Sequence, residues 1–137
     1  MVQSVKICKE IAVISNNQVG TLARIAQIFA DRGINIVAIS AQAAGGVALI
    51  NVVVDDHLHA RDLLAKKKIP FNENSVLLLE VEDKPGVLMQ LTRDLAAKKI
   101  DLLNVYGSAS ATYGPCVLVL STSQNQKALV ALKKKMK

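Results

Sequence analysis

The 137 residues are 51% hydrophobic with a formal charge of +6, a balance that excludes a disordered chain. No stretch approaches the roughly 20 apolar residues of a membrane-spanning helix, and Lys6, Lys9 and Glu10 interrupt the N-terminus where a secretory signal would need an apolar run. Cys8 and Cys116 fit no metal or redox spacing and read as small buried residues, so a cytoplasmic location with no membrane partner is expected.

Residues 2–15 read as a first strand, with Val5, Ile7, Ile11, Val13 and Ile14 on its apolar face and Lys6, Lys9 and Glu10 keeping part of it wet. Residues 16–20 form a turn. Over 21–32, Leu22, Ile25, Ala26 and Phe29 make one helical stripe while Arg24, Gln27 and Asp31 face away, and Gly33 suits the left-handed residue past the helix end. Residues 34–43 are the second strand, Gly45-Gly46 closes a hairpin, and 47–54 form a third strand apolar enough to be central. A helix over about 58–68 follows Asp55 and Asp56, with Leu58, Leu63 and Leu64 inward. His57 and His59 at its start lack a third metal ligand and read as solvent-exposed. The pattern then repeats: strand 76–82, turn 83–86, helix 87–99 with Leu88, Leu91 and Leu95 inward, strand 100–108, a loop through Gly114-Pro115, strand 116–121 and helix 125–137.

The repeat is positional. An offset of 66 pairs Asn17 with Asp83, Gly20 with Gly86, Leu22 with Leu88, Ile25 with Leu91, Asn35 with Asp101 and Ile36 with Leu102; past the Gly45-Gly46 and Gly114-Pro115 turns it becomes 68. Two copies of one unit follow, with domains at 1–71 and 72–137. Each copy reads strand, helix, strand, strand, helix and lacks a fourth strand. Residues 69–74 can supply it to the first copy and residues 2–9 to the second. The expected class is α+β: two ferredoxin-like βαββαβ units side by side, an antiparallel sheet with helices on one face.

Nine of the seventeen basic residues, Lys66 to Lys68, Lys98, Lys99, Lys133 to Lys135 and Lys137, fall at expected helix C-termini, where they complement the helix dipole. Four aromatics, Phe29, Phe71, Tyr106 and Tyr113, are too few for a base-stacking face. No nucleic-acid partner is expected.

The chemistry lies in the two turns, Asn17-Gln18-Val19-Gly20-Thr21-Leu22 and Asp83-Lys84-Pro85-Gly86-Val87-Leu88. Each joins a strand to a helix start, whose first N–H groups lack intrahelical partners and suit a carboxylate. These turns, with Arg32-Gly33-Ile34-Asn35-Ile36 and Lys99-Ile100-Asp101-Leu102, resemble the ACT domain, a regulatory module attached to many enzymes of amino-acid metabolism. The resemblance covers the chain as a tandem pair and implies a small-molecule ligand, an amino acid, held at an interface between ACT units. Carried over by position, the ligand-binding residues are Asn17, Val19, Gly20, Thr21, Leu22 and Asn35 in copy one, and Asp83, Pro85, Gly86, Val87, Leu88 and Asp101 in copy two. Val19 stands where the family has proline, and Asp101 where it has asparagine. Asn17 and Asn35 can meet either end of an amino acid, whereas Asp83 and Asp101 repel a carboxylate and attract an ammonium. The glycines also read as backbone requirements, Asp83 as a helix N-cap, and Asn35 and Asp101 as turn stabilisers. Tyr106 reads as a sheet-surface tyrosine or a cover over a ligand side chain.

The expected function is a stand-alone regulatory protein, an amino-acid effector biasing its association with a partner enzyme or a homodimer mate. The alternative is an interaction module without a ligand. No nucleophile has a candidate base and no phosphate loop is present, so no enzyme activity, catalytic residue, metal or cofactor is expected.

Overall fold

The periodicities of the sequence become ten elements in the computed structural model, which describes residues 2–109 and 114–136. These are β1 (Val2–Asn16), α1 (Thr21–Ala30), β2 (Ile36–Ala44), β3 (Val47–Val54), α2 (His57–Lys66), β4 (Asn72–Glu82), α3 (Val87–Ala97), β5 (Leu102–Ala109), β6 (Pro115–Thr122) and α4 (Asn125–Lys133). Residues 110–113 of the expected loop, Tyr113 among them, and Lys137 of the expected last helix lie outside the described residues. Two compact units result: Lys9–Asn74, the Gly20 unit, and Met1–Cys8 with Ser75–Lys137, the Gly86 unit.

In the Gly20 unit, β3 is central and pairs antiparallel with β1 (Ile11 opposite Val52) and with β2 (Ala41 opposite Ile50). The Asn72–Asn74 end of β4 adds a short fourth strand beside β1. Period-2 alternation turns Ile11, Val13, Ile50, Val52 and Val54 to one face, where Ile25 and Phe29 of α1 and Ala60, Leu63 and Leu64 of α2 cover them. In the Gly86 unit, β6 is central, between β4 (Leu79 opposite Leu118) and β5 (Val105 opposite Leu120). The stretch of β1 before Lys9 is its fourth strand, and Val2 and Val5 join Leu77, Leu79, Leu118 and Leu120 beneath Leu91, Leu95, Ala128 and Leu132. Each unit is therefore ferredoxin-like, α+β, with both helices on one sheet face, and the missing strands come from the segments the sequence offered.

Cys8 and Cys116 are half-buried, not buried as expected, and five further residues depart from expected burial for identifiable reasons. Ile14 is 57% exposed because strand alternation sets it opposite Ile11 and Val13. Glu10 is buried instead of wet, and its Oε1 accepts a hydrogen bond from Asn74 Nδ2 at 3.2 Å. Leu58 is exposed because it stands about 140° around the helix from Leu63. Leu22 and Leu88 are 40% and 50% exposed: the buried stripe of α3 keeps Leu91 and Leu95 as expected but begins at Val87 instead of Leu88, and Leu22 overhangs a cleft whose strand residues include alanines 41, 43 and 48.

Candidate functional site

In both units the first strand runs into a turn that ends on glycine in the left-handed region. Gly20 has φ 91° and ψ 1°, Gly86 φ 92° and ψ −11°, and each is the N-cap of the helix that follows. A glycine at that position brings no side-chain oxygen to the helix mouth, and neither helix has a side-chain cap. Thr21 N–H and its hydroxyl both donate to the Gln18 carbonyl, at 3.2 and 3.0 Å, and Arg24 N–H donates to Gly20 O at 2.9 Å. The N–H groups of Leu22 and Ala23 between them donate to no described residue. The Gly86 unit copies this: Val87 N–H donates to Lys84 O and Gln90 N–H to Gly86 O. Asp83 is therefore not the N-cap of α3, because Gly86 holds that position; its carboxylate stands exposed in the turn. Together with burial, which acts first, Asp83 pushes the Cys116 thiol above its ordinary value.

Two clefts flank the Gly20 turn. One, about 320 Å³, is lined by Val13, Ile25 and Ile69 as an apolar floor and by residues 15–16, 18–21 and Arg24 as a polar rim. The other, about 370 Å³, runs between the start of α1 and β2, with Asn17, Thr21 and Leu22 at its mouth. Both volumes fall in the range of small-molecule sites. Asn17 is fixed there by its N–H to Gly46 O at 2.8 Å, while Val19 projects from the tip, fully exposed.

Asn35 and Asp101 are elsewhere. Asn35 N–H donates to Asp55 Oδ1 at 3.0 Å and its carbonyl accepts from Asp55 N–H at 3.1 Å, beyond the far end of β3 from the turn. Asp101 makes the same pair of bonds with Ser123, at 3.0 and 2.9 Å. The length of β3 puts roughly 25 Å between Asn35 and the Gly20 turn within their unit. In each unit the structure thus groups the turn residues and sets the strand-start residue apart.

Arg24 was assigned to the outer face of its helix by periodicity and did not enter the expected site. Its place one helical turn after Gly20 was the available signal. His57 also departs from expectation: its Nε2 lies 2.6 Å from Glu73 Oε1, its Nδ1 is buried without a partner among the described residues, and only His59 stands substantially exposed. Among the described residues no cluster of three or more metal-ligating side chains occurs, and no helix is long and apolar enough to cross a membrane.

Residues 11–68 match the family model described as AHAS small subunit-like ACT domain. No curated protein sequence matches the chain. Among solved structures, a protein from Bacteroides thetaiotaomicron shares the fold over 96% of this chain and 90% of its own, with TM-score 0.87 and 21% identity. The regulatory subunit of aspartate kinase from Thermus thermophilus, in its ligand free form, aligns over 99% of both chains with TM-score 0.67 and 17% identity. Aspartate kinase from Clostridium acetobutylicum matches all of this chain and 35% of its own, with TM-score 0.58 and 13% identity.

Proposed function

We propose, from the match of residues 11–68 to an ACT-domain family model and the second unit of the same fold, that this chain is a tandem ACT regulatory protein. Its effector is an amino acid or a close chemical relative, and its output is altered association with an enzyme of amino-acid metabolism, catalysis belonging to that partner. The observation that carries this reading is the pair of clefts at an uncapped helix mouth in the Gly20 unit, with the Leu22 and Ala23 N–H groups unpaired beside them. The ligand carboxylate sits on the Gly20 turn. Asn35, at the opposite end of its own unit, is available to complete such a site on a second chain, which gives a homodimer a functional role.

A thermal-shift screen of the full chain against the proteinogenic amino acids and their close relatives tests the proposal. Ligand at 100 times its Kd adds about 2.7 kcal/mol of stability and raises Tm by several degrees. A flat screen at millimolar concentration overturns it. The second reading, an interaction module without effector, would then stand, favoured by the exposed apolar residues Leu88, Leu103 and Val105 of the Gly86 unit.

A further inference from the structure

The charge inventory of the Gly20 clefts is one-sided. Arg24, in the lining of the 320 Å³ cleft, is the single ionisable side chain that lines either cleft among the described residues, and no described aspartate or glutamate lines them. Its guanidinium has no hydrogen bond or ion pair among the described residues. The neutral acceptors on the rim are partly occupied: the Gln18 carbonyl takes two hydrogen bonds from Thr21, and the Asn16 carbonyl takes one from Ser15 Oγ at 3.3 Å. A ligand ammonium would lose water here, gain no opposite charge and lie near a cation. A ligand carboxylate would instead meet the one charged donor of the rim, the Arg24 fork, beside the neutral side-chain amides of Asn16 and Gln18.

The Gly86 unit supplies an internal control. Its residue at the position of Arg24 is Gln90, whose side chain donates to Asp94 at 2.9 Å, and whose N–H donates to Gly86 O at 3.0 Å as that of Arg24 does to Gly20 O at 2.9 Å. The repeated fold is satisfied by a neutral amide there, so the positive charge in the Gly20 unit is not demanded by folding. Asp83, at the position of Asn17, brings a negative charge to the other turn, and Lys84, at the position of Gln18, offsets it.

We propose that the Gly20 cleft selects a small 2-oxo acid over the amino acid of the same carbon skeleton, with Arg24 as the residue that sets the preference. The carboxylate pairs with the guanidinium in the cleft that Arg24 lines, the uncharged 2-oxo group stands where an ammonium would lie beside a cation, and an aliphatic tail covers Val13, Ile25 and Ile69. The proposal rests on the reading of this cleft as the effector site.

Calorimetric titration of the full chain with carbon-matched pairs decides it: pyruvate and alanine, 3-methyl-2-oxobutanoate and valine, 4-methyl-2-oxopentanoate and leucine. In at least one pair the 2-oxo acid binds about tenfold tighter or more. Arg24→Gln, which installs the residue of the Gly86 unit, weakens that binding by about tenfold or more while leaving the Tm of the free protein unchanged. Arg24→Lys, which keeps the charge, retains part of it. Equal or tighter binding of the amino acid, or undiminished 2-oxo acid binding by a folded Arg24→Gln variant, overturns the inference and leaves the effector site standing. No binding by either member of any pair overturns both.

Discussion

Gly20 and Gly86 have nothing within 4 Å of where a Cβ would stand, so an alanine at either meets only the backbone penalty of φ near +90°. That penalty is about 1–2 kcal/mol. Gly20→Ala and Gly86→Ala are each expected to lower stability by that amount in denaturant titration, and asparagine, which tolerates the left-handed region better, by less. Equal losses for alanine and asparagine would place the cost in something other than conformation. Elsewhere in the Gly20 unit, the hydrogen bond from His57 holds the Glu73 carboxyl below its ordinary value of 4.5, with Arg61 and Lys9 assisting and burial opposing. A carboxylate depressed in the folded state stabilises above its unfolded value and loses that contribution as pH falls through the folded one. The advantage of the wild type over Glu73→Gln therefore shrinks as pH drops below 4.5. Denaturant midpoints that fall in parallel for the two proteins through that range would refute the pairing.

Helices and strands were legible wherever one strong period governed them. The third strand was read at residues 47–54 and is Val47–Val54, and the helix starts after both glycine turns were read at Thr21 and Val87. The offset that matched Asn35 with Asp101 and then slipped by two reappears in atomic detail as matching hydrogen-bond pairs, Asn35 to Asp55 and Asp101 to Ser123. The first helical turns were less legible. Leu22 fits an i, i+3, i+7 stripe with Ile25 and Phe29, yet the strand residues near it are alanines, and composition along α1 carries no information about what faces it. Glu10 was hidden for a similar reason, since its partner Asn74 lies 64 residues away, in a segment read as a fourth strand but with no register to Glu10 legible in the sequence. The turn residues of the candidate site were visible through their repetition. Arg24 was not, because a basic residue on the polar side of an amphipathic helix is unremarkable until the cleft beside it is known.

At the scale of the whole molecule, β1 joins two cores. Val2 and Val5 belong to the core of the Gly86 unit, while Ile11 and Val13 belong to that of the Gly20 unit, and Val13 also floors the proposed effector cleft. A strand shared in this way makes the start of the chain a structural part of a unit whose other residues begin at Ser75. Burying a valine contributes about 1.5–3 kcal/mol, so deleting residues 1–8 removes several kcal/mol from the Gly86 unit before lost strand hydrogen bonds are counted. Native-state hydrogen exchange resolves where the loss falls. After the deletion, amide protection should drop in β6, at Leu118 to Leu120, while β3, at Ile50 to Val52, keeps most of its protection because the Gly20 unit retains the strands that cover it. Unchanged protection in β6 would show that Val2 and Val5 do not hold that core. An equal drop in both strands would show that the two units unfold as one, in which case occupancy of the Gly20 cleft must stabilise the Gly86 unit as strongly as its own.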